Sequence, residues 1–266
     1  NEDWVRGGLL GLAFPIHVDA LRRGGASFLT DAFRATGALG PDNRVTRITR
    51  LEEFLAGGTG RKAWLSVEYE NGSGLHEDLF VKFSRDFTNP WRDRGRHMME
   101  TETRLALLSR TCDFPVQVPT CYFADYDTAT GGGILITQRI AFGHGPIERS
   151  YEKAVDYELP EPLEHYRVLI RANARLAGAH RAGRLPGDVD RLFPYDSARL
   201  LKNDRIPYSP AELDQKIAKL REFASRYPQL LPAELRDPAF LTLLARDAQH
   251  WLAHELAVKD VLYGAS

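Results

Sequence analysis

Apolar and polar positions alternate most cleanly at Ala63-Trp64-Leu65-Ser66-Val67-Glu68-Tyr69, where Ala63, Leu65, Val67 and Tyr69 share one face. A period of two predicts a half-buried strand. Val45 to Leu51 precedes it as a first strand with Val45, Ile48 and Leu51 apolar and an imperfect alternation, and Gly57-Gly58-Thr59-Gly60 separates the two. Asn71-Gly72 and Gly74 turn the chain into a third strand at 79–84, which carries a lysine inside the apolar run Leu79-Phe80-Val81-Lys82-Phe83. Residues 97–110 read as a helix. Pro119 and Thr120 introduce a fourth strand, Cys121 to Tyr126, and the glycine-rich connection 127–133 leads to a fifth, Ile134-Leu135-Ile136-Thr137. Five strands with a single helix between the third and fourth predict an antiparallel meander with one inserted helix, not parallel βαβ alternation.

Helical periods flank this stretch. Residues 16–39 predict one or two helices: Ile16, Ala20 and Leu21 share a face, then Phe28, Leu29, Ala32 and Phe33 recur beyond Gly24-Gly25. Gly40-Pro41-Asp42-Asn43 is a turn cluster. After Gly143 the chain turns helical. Residues 163–182 place Leu163, Tyr166, Val168, Leu169, Ala172, Leu176, Ala179 and His180 on a broad apolar stripe. Two further helices are expected at 210–226 and 238–262, parted by Pro228 and Pro232, with Ser209 as N-cap and Pro210 in the first turn. The expected fold class is α+β, organised as an N-terminal helical segment (1–44), a strand-rich part ending in a hinge near Gln138 to Gly143 (45–143), and a helical part (144–266).

Composition narrows the function classes. A chain of 266 residues can hold one large domain or two lobes. Its 35 Lys and Arg against 36 Asp and Glu provide no overall basic field, so neither nucleic acid nor an anionic membrane is an expected partner. Arg92, Arg94 and Arg96, interleaved with Asp93, are a local exception expected on a solvated loop. Cys112 and Cys121 have neither zinc-ligand spacing nor a disulfide framework pattern, and Cys121 reads as a small buried hydrophobe. No apolar run approaches the roughly 20 residues that span a bilayer, and Glu2 and Asp3 stand where a signal peptide would be basic. A cytoplasmic location is the expectation.

The candidate chemistry centres on Lys82. A lysine within a hydrophobic strand is costly to bury unless something anionic meets it. A carboxylate on the next helix and a phosphate in the adjacent cleft would do so. Glu102 falls in register with Met98, Leu105 and Leu108 on an apolar stripe taken as inward, whereas Glu100 lies about 160° away around the helix. Glu102 is therefore assigned as partner and Glu100 held in reserve. Gly57, Gly58 and Gly60 could let backbone N–H groups approach phosphate oxygens. The segment is no Walker loop, because Lys62 is followed by Ala63 and a strand. Phe80 points the same way as Lys82 and would line a purine. The backbone of Gln138-Arg139-Ile140 could meet an adenine edge.

From about residue 45 to 182 the chain resembles the N-terminal lobe and linker of the aminoglycoside phosphotransferase and choline kinase-like family, a branch of the protein-kinase-like fold. The resemblance rests on Leu79-Phe80-Val81-Lys82, Glu102 with Leu105 and Leu108, Ile134 to Gln138 with Gly143 after it, and Leu176-Ala177-Gly178-Ala179-His180. It implies ATP, Mg²⁺ and transfer of the γ-phosphoryl group to a hydroxyl of a small molecule.

The family's catalytic loop, His-Gly-Asp-x-x-x-x-Asn followed by a metal-binding Asp, is missing. His17-Val18-Asp19 and His76-Glu77-Asp78 have the first spacing, but Gly24 and Phe83 stand at the Asn position. Asp125-Tyr126-Asp127 and Asp188-Val189-Asp190 read as turn or cap residues. The chain lacks a starting Met and stops at Gly264-Ala265-Ser266, which suits a cut-off piece better than a natural pseudokinase. The catalytic Asp and metal ligands are then expected beyond Ser266, and the piece alone should not transfer phosphate. His180 reads as a core histidine, His144 is better placed to see a ligand, and His97, His250 and His254 read as surface residues. The alternative from another class is a catalytically inactive nucleotide-sensing or scaffold protein. An unrelated α+β binding domain is the third.

Overall fold

The computed structural model describes residues 3–111, 113–185, 189–196 and 206–263. Cys112, Asp188 and the Gly264-Ala265-Ser266 end lie outside the described residues. The chain forms two compact units, Asn1–Phe193 and Pro194–Ser266.

The first unit opens with a hairpin that the hydrophobic pattern did not announce, β1 (Trp4–Arg6) paired to β2 (Ala13–Pro15). Helix α1 (Val18–Ala35) follows, with His17 as N-cap accepting from Ala20 N–H. Its helical geometry breaks at Gly25, where φ is +59°, so the glycine pair divides the segment as expected. The face made by Leu21, Phe28, Leu29, Ala32 and Phe33 is buried.

β3 (Val45–Phe54), β4 (Arg61–Tyr69), β5 (Asp78–Phe83), β6 (Cys121–Tyr126) and β7 (Gly133–Gln138) form one five-stranded antiparallel sheet. Irregularities in the pairing after Val45 and after Ile48 explain the broken alternation of β3. Ala63, Leu65, Val67 and Tyr69 of β4 join Leu79, Val81 and Phe83 of β5 and the apolar face of α1 in one core. This assigns the odd-numbered side chains of β4 and β5 to the core. Lys62, Trp64, Phe80 and Lys82 are left on the opposite face.

The strand order is β3-β4-β5-β7-β6, which corrects the expected meander. β5 and β6 are joined through α2 (Pro90–Arg94) and α3 (Met99–Leu108). A helical crossover of this length brings the chain back parallel to β5. β7 then returns antiparallel and fills the place between them. All six residues of β6 are buried, because both α1 and α3 pack against it.

α4 (Pro162–Arg181) and the short α5 (Val189–Leu192) complete this unit. The stripe read on α4 as a core face is largely solvent-exposed: Leu163, Tyr166, Val168 and Leu169 are exposed and only Ala179 is buried. His180 is likewise no core histidine. Its ring is 40% exposed and lies 3.3 Å from Asp190 Oδ1.

The second unit contains α6 (Pro210–Arg226) and α7 (Pro238–Tyr263), which pack on each other. Ser209 and Glu212 form a reciprocal capping box at the start of α6. In α7, Lys259 Nζ meets Glu255 Oε1 at 2.9 Å, and both residues are buried. Among the described residues no helix is long and apolar enough to cross a membrane.

Asp125 and Asp127 both serve local structure. Asp127 holds the β6–β7 turn, accepting from Ala129 N–H and Thr130 N–H at 3.1 Å. Asp125 is fully buried instead, and accepts from the N–H groups of Leu9 (2.9 Å), Leu10 (3.1 Å) and Tyr126 (2.8 Å). It thereby ties the β1–β2 loop to the sheet. Burial raises its pKa despite these three donors, of which Leu9 N–H counts most. Gly7 makes the approach possible, since a Cβ there would stand 1.8 Å from Asp125 Oδ2. Replacing Asp125 by Ala leaves buried N–H groups without an acceptor. Urea unfolding should show Asp125→Ala less stable by about 1–3 kcal/mol, with Asp125→Asn recovering part of the loss.

Candidate functional site

The even face of β4 and β5 forms one wall of a cleft of about 920 Å³, whose other walls come from α3, β7 and the segment after it. Its apolar lining includes four aromatic side chains, Phe54, Trp64, Phe80 and Phe142. Trp64 stacks on Phe54 with ring centres 4.3 Å apart, and Phe80 sits edge-on to Trp64 at 5.9 Å. Arg139 lies over the Trp64 ring at 4.4 Å. Leu135, Ile140 and His144 also line the cleft. Phe80 and Ile140, both singled out in the sequence, line this cleft, and so do Phe54 and Trp64, which were missed. Trp64 was legible in principle, as the residue alternating out of the period-two face of β4.

Lys82 and Glu102 meet. Lys82 Nζ donates to Glu102 Oε1 at 2.7 Å and Oε2 at 2.5 Å, with the lysine side chain largely shielded and the carboxylate half-exposed. The assignment of Glu102 over Glu100 agrees with this geometry, but the reason offered for it needs correction. The side of α3 that carries Glu102 does not face the core: Met98 is 56% exposed, and Leu105 borders the cleft. The buried side consists of Met99, Glu100, Thr103 and Leu108. Glu100, 4% exposed, accepts from Arg104 Nη2 at 2.6 Å, a partner one helical turn away. A buried carboxylate needs such a dedicated cation. Glu102 can tolerate its wetter position because the cleft itself is open to water.

The glycine loop between β3 and β4 is held from beneath by cations. Arg92 of α2 donates to the carbonyls of Gly57 (2.8 Å), Ala56 (2.9 Å) and Gly60 (2.9 Å), and its Nε forms an ion pair with Asp86 Oδ2 at 3.1 Å. Asp86 is buried and also meets Arg61 Nε at 3.0 Å. Burial alone would raise the Asp86 pKa, but the Thr88 donors and the Arg61 guanidinium outweigh it and hold the carboxyl below its ordinary value. Lys62 donates to the carbonyls of Thr59 and Gly60. Carbonyl oxygens, not N–H groups, are therefore what this loop turns toward Lys62 and Arg92. Gly57 and Gly60 have positive φ (+63° and +53°), and a Cβ on Gly60 would stand 1.9 Å from Phe83 O. Gly58 has neither constraint.

At the hinge, Gln138 N–H donates to Thr120 O at 2.8 Å and Arg139 N–H to Asp78 O at 3.1 Å. Both amide protons are committed to the sheet. Ile140 is the first position past β7 where the backbone leaves this ladder.

Lys62 was the main omission. It is 7% exposed and lies directly opposite Lys82 in the β4–β5 register. The sequence showed it only as a polar residue at a strand start, and its significance comes from the pairing, which no local pattern reveals. No family model and no curated protein matches this chain, so the chemistry of the cleft stands on the geometry above.

Proposed function

We propose that the cleft binds ATP and that the first unit is the nucleotide-binding part of a protein-kinase-like phosphotransferase, which passes the γ-phosphoryl group to a hydroxyl of a small molecule. The observation that carries this reading is the Lys82–Glu102 pair, a lysine fixed by a carboxylate that lines an apolar, aromatic cleft. An ammonium held in this way is oriented for phosphate oxygens, which it can bind without searching rotamers. Phe54, Trp64 and Phe80 offer flat apolar surface for a purine, and the backbone at Ile140 lies beside it. The antiparallel order of five strands with α3 inserted before β6 supports the same reading.

The division of labour follows from the positions. Lys82 takes the α- and β-phosphates, Glu102 keeps its ammonium in place, and the Gly57–Gly60 loop borders the phosphate end. Mg²⁺ in such a reaction would neutralise charge on the phosphates. Among the described residues no three His, Cys, Asp or Glu side chains stand close enough together to hold a metal ion. No residue of this chain is therefore assigned to Mg²⁺ or to deprotonation of the acceptor.

Isothermal titration with ATP tests the reading. Lys82→Ala should weaken binding by about tenfold to a hundredfold, the worth of one charge-assisted phosphate contact. Glu102→Gln should weaken it less, since the lysine remains. Unchanged affinity in Lys82→Ala would refute the assignment.

A second test uses the chain's own chromophores. Of its four tryptophans, Trp64 alone lines the cleft. ATP should change the tryptophan emission of the wild-type chain, and the change should vanish in Trp64→Phe.

A further inference from the structure

Lys62 and Lys82 face each other across β4 and β5 in direct register. Like charges so placed repel, and burial makes the repulsion worse. Three cations close by have carboxylate partners: Lys82 has Glu102, while Arg92 and Arg61 share Asp86. Among the described residues Lys62 forms no ion pair. Its ammonium rests only on the carbonyls of Thr59 and Gly60. A buried charge satisfied by carbonyl dipoles alone, beside a second ammonium, leaves a local excess of positive charge.

Resting on the ATP reading above, we infer that Lys62 is a second phosphate-binding residue that is also a latch on the glycine loop. Without nucleotide it holds the loop down by two carbonyls. When a polyphosphate arrives beside Lys82, the Lys62 ammonium turns to the phosphate oxygens and releases Thr59 and Gly60. The anion then joins two cations that otherwise repel, and the crown of the loop at Gly58 and Thr59 is freed to settle over it while Arg92 keeps its hold on the carbonyls of Ala56, Gly57 and Gly60. The ligand class is a nucleoside di- or triphosphate, since a nucleoside offers nothing to the second ammonium. Lys62 has short reach to the new partner because its strand places it level with Lys82.

The electrostatic setting agrees. Burial first, then the charges of Lys82 and Arg92, bring the Lys62 pKa down to about 8, with Glu102 opposing and Lys153 adding slightly. A folded-state value below the ordinary 10.5 means that the charged form is penalised. The penalty is complete below about pH 8 and relieved as pH rises toward 10.5, where folded and unfolded chains alike become neutral. Phosphate prefers the charged form, so its binding should be strongest below about pH 8 and weaken above it.

Titration of the chain with ATP and with adenosine, at about pH 7 and about pH 9.5, separates the possibilities. Wild type should bind ATP several-fold more weakly at the higher pH. Lys62→Met should lose about tenfold or more in ATP affinity at neutral pH, leave adenosine binding unchanged and flatten the pH profile. Lys62→Arg should keep the ATP affinity at both pH values, because a guanidinium does not titrate there. ATP binding by Lys62→Met equal to wild type, or equal losses for ATP and adenosine, would overturn the inference. If Lys82→Ala loses ATP while Lys62→Met does not, only the role of Lys62 fails. If wild type itself binds no ATP, the nucleotide reading fails and this inference goes with it.

Discussion

The pairing of β4 with β5 determines what the rest of the first unit can do. Its register sets Ala63 against Val81 and Leu65 against Leu79 on one face, and Lys62 against Lys82 and Trp64 against Phe80 on the other. One face is sealed under α1. The other carries both lysines and, through Trp64 and Phe80, forms one wall of the cleft. A slip of either strand by one residue would carry its lysine into the core and its apolar residues to the opposite face. The core and the candidate site are thus specified by the same hydrogen-bond ladder, and neither can be altered without the other.

Around that ladder, charge is handled in closed groups. Asp86 joins Arg61 and Arg92, Glu100 joins Arg104, and Glu102 joins Lys82. The buried carboxylates of Asp86 and Glu100 each meet a cation, which offsets the cost of their desolvation. Asp125 follows a different solution and takes three backbone N–H groups instead. The Arg92 group has a mechanical role as well, since the guanidinium fixes the glycine loop through carbonyls while its Nε faces a buried acid.

The sequence was most readable where one short-range pattern decides the outcome. The period-two face of β4, the Ser209 cap of α6 and the glycine break in α1 all stand as expected. Reading failed where partners distant in sequence decide. The place of β7 beside β5 depends on the helical crossover, and the β1–β2 hairpin depends on a carboxylate 116 residues away from Leu9. On α3, an apolar stripe was equated with the core although a cleft also accepts Leu105. On α4 the same equation failed more widely, and its apolar side chains stand in solvent. Lys82 and Glu102 were found because a charge inside an apolar strand is conspicuous. Lys62 sits at a strand start, where lysine is ordinary, and only the register makes it unusual.

Gly60 sets a limit on motion in the site. Its backbone lies so close to Phe83 O that no side chain could fit between them, so the base of the glycine loop is welded to β5. A Cβ on Gly58, by contrast, would meet nothing within 4 Å. Any excursion of the loop is therefore a pivot of its crown on a stationary root, a displacement of a few residues that leaves both strands unmoved. On the nucleotide reading proposed above, the crown of the loop can make way for a charged tail while the aromatic wall of the cleft keeps its shape.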